Sequence, residues 1–248
     1  HAIVFAWDGV GLGDDGTLWG GETFVGMPGH WQRAAHLRPF RLPGGDRAGR
    51  APWRSAAAVC WELGRDCPID VPDPIVRDAW KRRVNSPQSS AAGRLFDAAS
   101  AIILGLGETS FEGQGPMWLE AIARDPAAFP RLELRSTVEG RLELDWAPLV
   151  EWLLQASPTT PADRADRAGA VHASLADGIV QVAERLRDQS GSSIVGLTGG
   201  VFQNRRLTEA ALAGLSDRGF DVLLPVQLPC NDGGLSYGQV ADFIGRKV

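Results

Sequence analysis

The 248 residues include 44% hydrophobic and 22% charged side chains at a mean hydropathy of -0.10, the balance expected of a soluble globular protein and not of a disordered or fibrous one. A formal charge of -5 excludes the basic footprint of nucleic-acid binders, and no apolar run approaches the ~18 residues of a membrane span. Three cysteines, Cys60, Cys67 and Cys230, lack CxxC spacing, so neither a disulfide framework nor a zinc finger is indicated and a reducing cytoplasm fits best.

Residues 2–7 are apolar and partly β-branched, the pattern of a buried strand, and the glycine-rich stretch 9–16 reads as the loop that follows it. "TLWGGETFVG" then reads as a second, short strand pair. Pro and Gly at 43–45 interrupt the chain before an alanine-rich helix from Pro52 to Leu63. Helical spacing of apolar residues predicts further helices over Pro74–Val84, Ala92–Leu104 and Gly115–Arg124. "RLELRSTVEGRLELDW" alternates Leu with charge on both sides of Glu139-Gly140, which predicts a hairpin, followed by a helix over Trp146–Gln155. The long helix Ala162–Gln189 carries the stripe Val171, Leu175, Ile179, Val182 and Leu186 at three- and four-residue intervals. After it, strand ("SSIVGLTGG"), helix ("NRRLTEAALAGLSDRG"), strand ("FDVLLP") and helix ("GLSYGQVADFIGRK") form a β-α-β-α unit, which implies a parallel sheet with helices on its faces.

Several stretches combine glycines with groups able to do chemistry. In "WDGVGLGDDG", Asp8 stands at the carboxyl end of a strand, where α/β folds place ligands, and Gly9 and Gly11 can present N–H groups to an anion. Asp14 and Asp15 would repel phosphate and read as turn residues. "LTGGVFQN" ends a strand in Gly199-Gly200: either a close approach for a ligand with Asn204 on a base or ribose, or a tight turn with Asn204 as a helix cap. "LPCNDGG" repeats the theme with Asp232, a helix cap or a ligand. Cys230 beside it reads as a small buried hydrophobe in the absence of a nearby histidine. Arg94 and Asp97 in "SSAAGRLFDAAS", and Glu112 and Gln114 in "FEGQG", are equally compatible with structural roles. His30, His36 and His172 have no metal-ligand spacing, and His172 reads as a surface or core histidine.

"AWDGVGLGDDGTLWGGE", "LPGGDRAGRAPWR", "SSAAGRLFDAAS", "FEGQG", "TGGVFQNRRL" and "PCNDGGLSYGQ" together resemble, in order and over nearly the whole chain, the carboxyl-terminal Kae1-like domain of the HypF-type hydrogenase-maturation carbamoyltransferases. The resemblance implies an α/β, two-lobed actin/hexokinase/Hsp70-like fold with its amino-terminal part truncated, and lobes of about 1–90 and 91–248. It also implies transfer of a carbamoyl group from carbamoyl-adenylate, made from ATP and carbamoyl phosphate by a separate domain, to the carboxyl-terminal cysteine of a HypE-type partner. The product becomes the cyanide ligand of a nickel-iron hydrogenase. Asp8 and Asp232 match the aspartates of a divalent metal site, iron or zinc, whose remaining ligands are an HxxxH pair expected upstream of Ala2. Asp97 and Gly113 match positions on the ribose side of the nucleotide, and Gly199, Gly200 and Asn204 match the adenosine-binding turn. Two rival readings are an O-carbamoyltransferase acting on a small-molecule hydroxyl and a non-catalytic nucleotide-binding lobe that docks the partner.

Overall fold

The computed structural model describes residues 1–247. Its strands are β1 (Ala2–Leu12), β2 (Leu18–Gly26), β3 (Gln32–Leu37), β4 (Phe40–Arg41), β5 (Gln88–Ser89), β6 (Glu133–Ser136), β7 (Leu142–Asp145), β8 (Ile194–Thr198) and β9 (Asp221–Leu223). The helices are α1 (Pro52–Glu62), α2 (Ile75–Lys81), α3 (Ala92–Leu104), α4 (Gln114–Ile122), α5 (Ala147–Leu154), α6 (Pro161–Ser190), α7 (Arg205–Asp217) and α8 (Leu235–Gly245). All strands join one mixed sheet in the order β6-β7-β3-β2-β1-β8-β9, with β5 beside β2 and β4 beside β5. This is the mixed α/β class that the resemblance implied. Among the described residues no helix is long and apolar enough to cross a membrane.

The sheet is built around β1, antiparallel to β2 on one side and parallel to β8 on the other. Alternation sends Ile3, Phe5 and Trp7 into the core, while Val4 and Ala6 on the opposite face are only half-buried. The buried face meets α3 and α6. On α6 the whole predicted stripe is buried, and a capping box at its start, Thr160 with Asp163, satisfies the first orphan N–H groups. Gly178 on α6 exists for contact: a Cβ there would lie 2.6 Å from a Leu144 methyl of β7. The predicted β-α-β-α unit is present as β8-α7-β9-α8, and β8 and β9 are parallel.

Two early expectations change. Residues 9–12 are not loop: β1 runs on to Leu12 through an irregularity between Trp7 and Gly11, and the turn is confined to 13–17, closed by Gly13 N–H on the Thr17 carbonyl (2.9 Å). Only Gly9 in this extension is crowded, since a Cβ on it would lie 3.2 Å from Glu112 Oε1, whereas Val10 and Leu12 point into the open. Likewise 18–26 is one strand, not two, since Trp19 and Gly21 pair with β1 on either side of the irregularity, where the Gly20 N–H goes to the Glu22 carboxylate.

Candidate functional site

The site gathers where the parallel pairing of β1 with β8 ends. Their last shared register is Ala6 with Thr198, so Gly199-Gly200 leaves the sheet beside Asp8, which stands in the irregularity of β1 between Trp7 and Gly11. Gly199 has φ of 103° and a Cβ on it would lie 2.0 Å from the Trp7 carbonyl oxygen, so only glycine fits. Gly200 begins a 3-10 turn (Gly200–Gln203), and its Cβ would sit 2.9 Å from Asp8 Oδ1. The same Oδ1 accepts the Gly9 N–H at 2.8 Å. Beneath the turn, Phe202 stacks on Trp7 with ring centroids 5.9 Å apart.

A second wall comes from α3. Gly93 lets its first turn press against β1, since a Cβ there would be 2.8 Å from Gly9 Cα. One turn on, Asp97 is 1% exposed, and burial pushes its carboxyl up to about 7 although the Arg94 guanidinium lies 3.0 Å away. Here desolvation outweighs the ion pair, and the Glu112 carboxylate adds to the upward push.

Asn204 caps α7: its Oδ1 accepts the Leu207 N–H at 2.9 Å. Its amide nitrogen faces His172 Nε2 at 2.9 Å, and His172 Nδ1 is 2.7 Å from the Ala168 carbonyl. Burial holds the imidazole below its usual range, so the neutral tautomer donates from Nδ1, accepts at Nε2 and thereby fixes the Asn204 amide. His172 is therefore a core histidine that orients a site residue. Ahead of α8, in a short turn that lies beyond β9 and not at the strand end that the sequence suggested, the cap is Asn231, which accepts the Gly233 N–H at 3.1 Å, and the Asp232 carboxylate is left exposed.

A cavity of about 580 Å³ brings together Asp8, Gly9, Asp97, Gly113, Gly200, Asn204 and Asp232. Gly199 lines a neighbouring cavity of about 620 Å³ that shares Asp8 and Asp232 and runs under α8. Gly11 lines neither cavity and pairs with Trp19 in the hairpin. Asp15 serves the turn as expected, accepting from Thr17 N–H (2.9 Å), Thr17 Oγ1 and Trp19 Nε1 and pairing with Arg33. Among the described residues no cluster of three or more His, Cys, Asp or Glu could hold a metal ion. Asp8 and Asp232 thus line the cavity as two carboxylates without a third His, Cys, Asp or Glu among the described residues to join them. Burial, reinforced by the Asp8 charge, raises the Cys230 thiol, which is unlike an activated nucleophile.

Sequence reasoning left Arg94 and Glu112 open and did not place Phe96, Met117 or His172 at the site, yet the first four line the cavity and the last supports it. Their signal is tertiary. Arg94 and Glu112 are joined across 18 residues, and His172 meets Asn204 across 32.

A family model described as "Carbamoyltransferase, Kae1-like Domain, second subdomain" matches residues 4–239. Carbamoyltransferase HypF of Rhodobacter capsulatus is 41% identical over a match of length 244 that covers 95% of this chain and 31% of that protein. A carbamoyltransferase HypF homolog of Cupriavidus necator is 38% identical over a gapped match of length 250 that covers 96% of this chain and 64% of its own length. The crystal structure of full-length HypF in the phosphate- and nucleotide-bound form matches with a TM-score of 0.87 at 29% identity, over 99% of this chain and 33% of that one. The chain therefore spans about a third of the first relative and of the solved structure, and under two thirds of the second relative.

Proposed function

Because this chain belongs to the family of the carbamoyltransferase Kae1-like domain, second subdomain, we propose that it forms a carbamoyl-transfer site that binds carbamoyl-adenylate and delivers the carbamoyl group to the carboxyl-terminal cysteine of a HypE-type protein. The observation that carries the reading is the convergence of Asp8, Gly9, Asp97, Gly113, Gly200, Asn204 and Asp232 on one cavity, although they come from both sides of residue 90. On this reading 1–90 and 91–248 are the two lobes whose walls form the cleft. The reaction is cytoplasmic.

Asp97 and Gly113 take the ribose side, and Gly199, Gly200 and Asn204 the adenosine side. One N–H of the Asn204 amide remains beyond its bond to His172. Gly9 brings backbone close to the phosphate or carbamoyl group, and Gly11 shapes the hairpin behind it. Asp8 and Asp232 supply two ligands of a divalent ion, iron or zinc, completed by histidines outside this chain. Such an ion would act as a Lewis acid on carbamoyl or phosphate oxygen. In the transfer, the partner's thiolate forms a bond to the carbamoyl carbon, the bond from that carbon to the phosphate oxygen breaks, and AMP leaves with the electron pair.

The test is incubation of the chain, alone and joined to the segment that precedes the matching region in a HypF relative, with carbamoyl-adenylate and a HypE carboxyl-terminal peptide. A thiocarboxamide by mass spectrometry, lost in Asp8→Asn and Asp232→Asn, is expected. Peptide binding without transfer in both forms would replace the reading with a docking lobe.

A further inference from the structure

Arg94, in the first turn of α3, has a side chain only 4% exposed and lines the cavity. Two carboxylates meet its guanidinium: Asp97 Oδ2 is 3.0 Å from Nη1, and Glu112 Oε1 is 2.6 Å from Nη2. They differ in kind. Asp97 is as buried as Arg94, whereas the Glu112 side chain is 58% exposed and sits on the bend that enters α4, next to Gly113 at φ 82°.

The pair is held in a narrow slot. A Cβ on Gly9 would lie 3.2 Å from Glu112 Oε1 and 3.4 Å from Arg94 Nη2, and one on Gly49 would lie 3.2 Å from Arg94 Nη1. Arg94 Nε, though buried, has no hydrogen-bond partner. The helix end is bare as well, for its cap residue is Ala91, without a side-chain cap bond, and its first turn has no acid. A guanidinium with a free N–H and an uncapped helix start together favour an anion with several acceptor oxygens, which a single carboxylate oxygen does not exhaust. Burial pushes the Asp97 carboxyl up to about 7, and the Glu112 carboxylate on the far side of the same guanidinium adds a smaller upward push.

We propose that Arg94 anchors the phosphate of the bound adenylate, and that Glu112 is a displaceable stand-in which occupies Arg94 until the phosphate takes its place. The proposal rests on the adenylate reading of the cavity and adds to it the residue that recognises the phosphate and the group that competes with it. Exposure makes Glu112 the partner that leaves: its carboxylate swings into water, whereas Asp97 has no path out of the core.

Titration calorimetry with adenosine and AMP separates the two ideas, because only AMP meets Arg94. Glu112→Gln, at an exposed position that leaves the fold intact, is expected to tighten AMP by about 3- to 10-fold and to change adenosine by less than about 2-fold. Arg94→Lys is expected to weaken AMP by on the order of tenfold, since a point charge replaces the fork. Adenosine and AMP binding with an AMP affinity that Glu112→Gln leaves unchanged or weakens would overturn the stand-in while the adenylate reading stands. Binding of neither ligand to the unaltered protein overturns both.

Discussion

Helices α3 and α8 are both rich in apolar residues and both adjoin a site aspartate, yet every residue of α3 from Ala92 to Ile103 is buried and no residue of α8 is. Hydrophobicity is not what separates them. The first lies against β1 and α1 and meets α6, whereas the second is tied down mainly at its far end, where Asp242 accepts the Gly29 N–H at 2.7 Å. The lesson is that the site has one rigid wall and one shallowly held wall: Asp97 is fixed by core packing, and Asp232 by a short turn at the surface.

The largest contrast is expected from the same truncation on each helix. Phe96→Ala empties a site 2% exposed and should cost about 3–5 kcal/mol. Phe243→Ala, at 58% exposure, should stay within about 0.5 kcal/mol. Urea midpoints at constant slope measure both, and equal losses would dissolve the distinction between the walls.

Asp97 sharpens it further. Its carboxyl titrates at about 7 in the fold and at ~3.9 in the unfolded chain, so between those values the folded state keeps a proton that the unfolded state releases. Stability is then fullest below about pH 4, declines as pH rises toward 7, and is level above it. The whole decline amounts to about 4 kcal/mol at most. Asp97→Asn should remove that slope, so that the variant gains on the unaltered protein from pH 4 to pH 8 in parallel urea titrations. A parallel pair of pH profiles would show that Asp97 is ionised throughout. Smaller again is Gly93→Ala, which sets a methyl against the Gly9 backbone and should cost on the order of 1–3 kcal/mol by the same assay.

These same regions explain what could be read from sequence. The helices α6 and α7 follow from periodicity, because burial of one face imposes a period visible in the chain, and α3 falls on the predicted residues although it is buried on all sides. The hairpin of β6 and β7 is equally local. What escaped was set by neighbours distant in sequence. β3 and β4 escaped prediction because they are short and their partners are β2, β7 and β5. Residues 9–12 read as loop because glycine marks turns and bulged strands alike. At the site, strand ends pointed to Asp8, Gly199 and Gly200. No local pattern told whether Asn204 serves as a cap or faces a ligand, and it does the first while lining the cavity. Nor did any pattern join Arg94 to Glu112, since that pairing exists only once α3 and α4 pack together.

The smallest effect tests the shallow wall most directly. Gly238 lies inside α8, and a Cβ there would meet no atom of the described residues within 4 Å. Glycine in a helix interior is less stable than alanine by roughly 0.5–1 kcal/mol, because the unfolded chain has more freedom to lose. Gly238→Ala should therefore stabilise α8 by about that amount, read as slower hydrogen exchange of its amides, where the same change at Gly93 on α3 destabilises. Gly238 also lines the cavity beneath α8, so the added methyl tells whether that space is used. A gain in the chain alone that turns into a loss when the chain is joined to the segment that precedes the matching region in a HypF relative would mean that another surface packs closely on α8. In that case the shallow wall is completed from outside this chain, on the side where Asp232 is exposed.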